Sequence, residues 1–311
     1  MEKTFKQIVI DKLRNIIPLS FRKKIGPFFA YITYIFNIYI LKNKKQPKVL
    51  SIIETIDLIN KMNLSVIRFG DGEMSLMDGV DLAFQKYDSG LAQRLVTILQ
   101  TKSDKLLICI PGIWKNINSF NKRDFWFFMH HLFRYRHTWL NLLSSDQIYG
   151  NTFVTRPYLT FKDKSKSGYT FDKILSIWKE KDIVLIEGEK SRLGVGNDLF
   201  NNVKSFKRIL CPSENAFSKY NEIKAEAVKI DKNKLILISL GPTAKVLAFD
   251  LFLLGYRVVD IGHIDMEYEM FLKKETKIIK VRYKYFNEIS ERNPEEYNDK
   301  KYLDQIITKI I

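Results

Sequence analysis

The chain has 311 residues, 46% of them hydrophobic and 13% aromatic, enough apolar surface to bury a full core, which excludes a globally disordered protein. Its net charge of +16 is lopsided: residues 1–48 hold eleven Lys/Arg against two acids, net +9, leaving +7 for all the rest. The two cysteines, Cys109 and Cys211, lie far apart and outside any C-x-x-C spacing, which excludes a disulfide framework and fits a reduced, cytoplasmic chain.

The N-terminal arm, residues 1–48, reads as helical. In "TFKQIVIDKLRNIIPLSFRKKI" the residues Phe5, Val9, Leu13, Ile16 and Ile17 recur at helical spacing, with Lys6, Lys12 and Arg14 elsewhere on the wheel. "FFAYITYIFNIYIL", Phe28 to Leu41, is bracketed by Arg22, Lys23 and Lys24 on one side and Lys42, Lys44 and Lys45 on the other. Its 14 residues fall short of the roughly 20 that span a bilayer, and Gly26-Pro27 blocks extension of the helix. No small-residue cleavage site follows, so a secretory signal is not expected. A basic, aromatic segment of this kind is expected to lie along an anionic membrane surface, with a helical hairpin packed on the following domain or on a second subunit as the alternative.

"NKKQPK", residues 43–48, marks a boundary. Beyond it helical and strand patterns alternate. "VLSIIETIDLINKM", "LAQRLVTILQ", "RDFWFFMHHLFRYRHTWLNLL", "TFDKILSIWKE", "NEIKAEAVKI" and "TAKVLAFDLFLLG" read as helices. "LSVIRF", "KLLICIP", a stretch near "IYGNTFVT", "DIVLIEG", "SFKRILCP", "KLILISLG" and "YRVVDIG" read as strands. Apolar strands without polar alternation, separated by helices, predict an α/β fold with a mostly parallel sheet covered by helices on both faces. The organisation expected is an arm over 1–48, a catalytic domain over 49–275 and a helical extension over 276–311, with "YLDQIITKII" as a terminal helix.

In such sheets ligands bind beyond the carboxyl ends of the strands, so the residues following each strand are the candidates. After "SVIRF" come Gly70, Asp71, Gly72 and Glu73, with Arg68 just before. Asp71 and Glu73 at i and i+2 would point the same way in extended chain, and two hard oxygen donors suit Mn²⁺ or Mg²⁺. "EGEKSRLGVGND" places Lys190 and Arg192 beside Gly194, Gly196 and Asn197, which suits a diphosphate or nucleoside without matching a G-x-G-x-x-G or Walker A loop. Gly241, Pro242 and Thr243 open a helix whose N-terminus can hold a phosphate. "GHIDMEYE" offers His263, Asp265, Glu267 and Glu269, among which a general base is expected. Arg156 and Tyr158 in "TRPY" are further candidates for phosphate and for base or sugar. His130, His131 and His137 do not form H-E-x-x-H and sit among aromatics, which points to a core or interface role.

"RFGDGE", "EGEKSRLGVGNDL", "SLGPTAKVLAFDLFLLGY" and "DIGHIDMEYEMF", in this order, resemble the GT-D fold glycosyltransferases over roughly residues 50 to 272. The resemblance implies a Rossmann-like scaffold and metal-dependent transfer of a sugar, expected to be a hexose, from a nucleotide-sugar, usually a UDP-sugar, to a glycan or glycosylated protein. The membrane-seeking arm adds a lipid-linked glycan as an expected acceptor. It maps the family's Asp-x-Glu metal motif onto Asp71 and Glu73, with Mn²⁺ or Mg²⁺ as the ion. Glu267 is then the expected base, with Asp265 and His263 as rivals, and Arg68, Gly70, Arg156, Lys190 and Arg192 fall on the donor side. The enzyme is expected on the cytoplasmic face of the membrane, in cell-surface polysaccharide or glycoprotein glycan synthesis. Two other readings compete. A metal-dependent nuclease lacks its usual acid two residues before a lysine, since Gly188 stands there relative to Lys190. A nucleic-acid-binding module would need basic and aromatic stripes on the domain, whereas the excess charge sits in the arm, so no nucleic-acid partner is expected.

Overall fold

The computed structural model describes residues 46–114, 117–289 and 293–311, together with Ile32 and Ile35. The expected arm lies almost entirely outside the described residues. Among them, no helix is long and apolar enough to cross a membrane.

Among the described residues nine strands form one sheet: β1 (Lys48–Val49), β2 (Ser65–Arg68), β3 (Leu106–Ile110), β4 (Ile148–Asn151), β5 (Asp182–Gly188), β6 (Ser205–Cys211), β7 (Leu235–Ser239), β8 (Val258–Asp260) and β9 (Ile306–Lys309). Their order is β1-β4-β3-β2-β8-β7-β5-β6-β9, and all the pairings are parallel. Between them run α1 (Ile52–Met62), α2 (Asp71–Met77), α3 (Ser89–Leu99), α4 (Lys122–Leu142), α5 (Ser167–Leu175), α6 (Tyr220–Ala227), α7 (Thr243–Leu253), α8 (Ile264–Leu272) and α9 (Lys300–Leu303).

The apolar strand runs are explained by two cores. Alternate side chains of one strand face opposite layers, so Ile67, Ile108, Ile110, Val184 and Ile236 join one core. Val66, Leu107, Ile183, Leu185 and Leu235 join the other. Helices α3, α4, α6 and α7 close the first face, while α1, α5 and α8 close the second. Local signals agree with the global fold. Ser51 and Glu54 form a capping box on α1, and the side chains of Asp88 and Asn121 cap α3 and α4.

The expected terminal helix is a correction. "YLDQIITKII" gives only the short α9 and then β9, which pairs with β6. Its spacing of apolar residues fits a helix, but Ile306, Ile307, Thr308 and Ile310 are β-branched, and the open edge of β6 supplies the hydrogen bonds a strand needs. The tail after residue 275 is therefore part of the domain rather than a helical appendage.

Candidate active site

β2 and β8 lie side by side at the middle of the sheet, where the chain's progress across it changes direction. Here the switch-point rule places a crevice. A cleft of about 500 Å³ opens there, across the carboxyl ends of the strands.

Its floor is a buried ion network. Arg68 at the end of β2 meets Asp260 at the end of β8 with Nη2 to Oδ1 at 3.0 Å, and its Nε donates to the Asp260 carbonyl at 2.9 Å. The other Asp260 oxygen lies 3.2 Å from Lys245 Nζ, and Lys245 in turn lies 3.1 Å from Glu73 Oε1. Burial works to raise the Asp260 carboxyl, but Arg68 and Lys245 outweigh it and hold the group below its usual value. Gly262 is required beside this network. Its φ is +44°, and a Cβ there would come within 1.8 Å of Arg68 Nη2.

Asp71 and Glu73 are not on an extended stretch but in the first turn of α2, where residues two apart diverge. Glu73 is buried, and its Oε2 accepts the Gly70 N–H at 2.8 Å, capping its own helix. Asp71 is exposed within the cleft. Desolvation by the cleft walls, and then the Glu73 charge, raise its carboxyl above the usual value. Arg156 and Glu288 act on its charge, and both line the cleft, as does His263. Arg156 Nη2 holds Glu288 Oε1 at 2.7 Å. Desolvation works against the guanidinium charge, but Glu288, Glu267 and Asp71 raise its pKa. Burial pushes His263 down to about 4, so its imidazole is neutral near pH 7.

The other predicted site residues separate cleanly. Gly70, Gly241 and Pro242 line the cleft with Arg68. Thr243 is fully buried, 3.4 Å from Gln85. Glu267 and Asp265 are corrections, since both are buried away from the cleft opening. Glu267 Oε2 accepts the N–H groups of Tyr158 and Leu159 at 3.0 and 2.9 Å, and its Oε1 stands 3.6 Å from Arg156 Nε, so it props Arg156 from behind. Asp265 and Glu269 both bind the ammonium of Lys284, at 2.7 and 2.8 Å, and both accept from Asn197. The glycine loop is a correction too. Its Gly194 N–H donates to Asp265, while Arg192 reaches the Tyr283 and Glu295 carbonyls and Lys190 meets Asn293. Gly196 is exposed, and a Cβ there would meet nothing within 4 Å. These groups clamp the tail to the domain instead of facing a nucleotide. In exchange the tail delivers Tyr285, Asn287 and Glu288 to the cleft. No sequence signal marked them, because the tail fell outside the motif pattern.

Among the described residues no group of three or more His, Cys, Asp or Glu side chains is placed to hold a metal ion. With Glu73 engaged by Lys245 and the Gly70 N–H, Asp71 is the open carboxylate of the motif. That donor set suits an ion of the Mg²⁺ type, which takes one or two carboxylates and completes its shell with phosphate oxygens and water.

A family profile described as "Glycosyltransferase GT-D fold" matches residues 66–289. The chain is 40% identical over 277 residues to "Probable glycosyl transferase Gly" of Streptococcus gordonii, covering 86% of this chain and 39% of that protein. It is 40% identical over 267 residues to "Glycosyltransferase GlyD" of Streptococcus pneumoniae serotype 4, covering 85% and 33%. The chain thus spans between a third and two fifths of the length of these curated relatives. A solved structure described as "The highly conserved domain of unknown function 1792 has a distinct glycosyltransferase fold" superposes with a TM-score of 0.84 at 42% identity, covering 88% of this chain and 99% of that one. "A New Glycosyltransferase (DUF1792) from Streptococcus sanguinis" superposes at 0.82 with 39% identity, covering 86% and 100%. A parallel sheet with its cleft at the switch point and a family match across most of the chain agree: the chain belongs to the GT-D fold glycosyltransferases.

Proposed function

We propose that the chain transfers a hexose from a UDP-sugar to a glycan acceptor with the help of Mn²⁺ or Mg²⁺. The observation that carries this reading is Asp71, an open carboxylate at the switch point with Arg156, Lys245 and the Gly241-Pro242 turn beside it. Departure of UDP builds negative charge on the diphosphate, and a divalent ion held by Asp71 would supply the matching positive charge. Lys245 and the Gly241-Pro242 turn at the start of α7 line the same end of the cleft, where the diphosphate would lie.

The acceptor hydroxyl needs a base. Of the cleft carboxylates, Glu73 is bound by Lys245 and Gly70, and Asp124 by Arg123 and Asn121. Glu288 has one oxygen on Arg156 and lies at the cleft surface, so the role passes from Glu267 to Glu288. His263, neutral near pH 7 and lining the same cleft, is the rival base.

A glycan or lipid-linked glycan presented at the inner membrane face remains the proposed acceptor, on the strength of the basic, aromatic arm. Screening UDP-sugars for hydrolysis and transfer, with Mn²⁺ or with EDTA, tests the reading. Turnover that needs the ion and falls ~10²–10⁴-fold in Glu288→Gln is expected. Equal turnover in EDTA, or an unaffected Glu288→Gln, refutes the metal or the base assignment respectively.

A further inference from the structure

Two ends of the cleft differ in chemistry. The β5–β7 end carries the turns at Gly188 and Gly241 and the Lys245 ammonium. The β3–β4 end, where α4 begins, carries Arg123, Asp124, Phe127, Phe128, Thr152 and Thr160. β3 and β7 stand three strand spacings apart, about 14 Å, which leaves room for two sugar-sized subsites on either side of Asp71.

The α4 end has open surface and spare hydrogen-bonding capacity. Phe127 is 47% exposed, unusual for a phenylalanine inside a cleft. It is held from behind by Phe128, edge to face at 5.0 Å, and Phe128 packs in the same way on Phe120 and Phe153. The ring is thus backed by an aromatic cluster and open to the cleft. Around it, the Thr152 and Thr160 hydroxyls make no hydrogen bond among the described residues, although the two residues are 9% and 3% exposed. Arg123 uses its Nε on Asp124 and leaves its terminal nitrogens without a partner among those residues. A flat apolar face ringed by hydroxyls and a planar Arg-Asp pair is matched by a pyranose, which offers C–H groups on one face and hydroxyls on its rim. A diphosphate would instead seek the opposite end, where Lys245 and the Gly188 and Gly241 turns lie.

We propose that the α4 end of the cleft is the acceptor subsite. It binds a pyranose residue of the acceptor glycan, with Phe127 stacking on the ring and Thr160, Thr152 and Arg123 reading its hydroxyls. This rests on the cleft being the transfer site proposed above. The sugar enters from the α4 side and presents its hydroxyl toward Glu288 and Asp71.

Saturation-transfer NMR with methyl β-D-glucopyranoside and methyl N-acetyl-β-D-glucosaminide as probes, with and without UDP and Mn²⁺, tests it on the full chain. Ring C–H protons of at least one probe should receive saturation in the wild type. The signal should fall at least fivefold in Phe127→Ala, return in Phe127→Trp, and weaken in Thr160→Val. UDP affinity by calorimetry should stay within twofold in Phe127→Ala. Absence of transfer to either probe in the wild type, or equal transfer in Phe127→Ala, overturns the subsite. Loss of UDP affinity in Phe127→Ala overturns it too, by placing the nucleotide on the ring. Failure of wild-type protein to bind UDP would strike the donor reading alone, because the sugar signal without UDP decides this one. Phe127 is exposed and outside the core, so circular dichroism should show every Phe127 variant folded.

Discussion

At Glu73 both carboxylate oxygens are occupied, one by the Gly70 N–H and the other by Lys245, whereas Asp71 two residues earlier faces the cleft. Substitution should separate the two roles. Glu73→Gln should cost about 1–3 kcal/mol of stability, since Lys245 loses one of its two carboxylates in a buried setting. In a double-mutant cycle with Lys245→Met, denaturant unfolding should return a coupling above about 0.5 kcal/mol. Purely additive effects would show that the pair contributes nothing. The histidines make a second prediction. Burial lowers both His131 and His263 to about 4, and the buried His131 accepts the Trp139 N–H at 2.9 Å. Between about 4 and the unfolded value near 6.5 the unfolded chain binds more protons, so this contribution is complete above 6.5 and is lost as pH falls toward 4. Urea midpoints should drop across that window, less steeply in His131→Gln. A slope unchanged by that substitution would contradict the assignment for His131. Asp71 was legible from its position after an apolar strand. The division of labour with Glu73 was not, because Lys245 comes from a helix 172 residues further on.

Among the elements, the tail from Val281 to Lys309 shows most clearly how far sequence pattern reaches. The strand runs "SVIRF" and "DIVLIEG" announce themselves because both faces are buried, and the aromatic run of α4 does the same for a helix. The acids at 265, 267 and 269 looked catalytic because charged residues after a strand are common in sites. Their buried state is decided by Lys284 and Arg156, partners that no local pattern announces. Lys284 is fully enclosed at its side chain, so Lys284→Met would strand two carboxylates. A loss of about 3–5 kcal/mol is expected by denaturant unfolding, with partial recovery when Asp265→Asn is added. A loss below 1 kcal/mol would show that the network is not what anchors the tail. Because the same tail carries Glu288 into the cleft, the anchoring Lys284 supports the site indirectly.

For the whole molecule, the sheet, its two cores and the switch-point cleft form a domain whose description needs nothing before residue 46. For the basic arm, which lies almost entirely outside the described residues, we propose a role in location. A chain beginning at residue 49 should keep its fold and UDP-sugar hydrolysis and lose binding to anionic vesicles. Each basic residue near the surface contributes about 1 kcal/mol that salt screens. Full-length protein that ignores anionic vesicles at low salt would contradict the anchor, and collapse of the shortened chain would favour the packed hairpin. Calorimetric titration of UDP tests most directly the proposal that Asp71 makes this cleft a divalent-ion-assisted nucleotide-sugar site. Wild-type protein should bind UDP at least tenfold more tightly with Mn²⁺ than in EDTA, and Asp71→Asn should erase that difference while remaining folded. An ion effect of undiminished size in Asp71→Asn, or equal wild-type affinity in Mn²⁺ and EDTA, would contradict it.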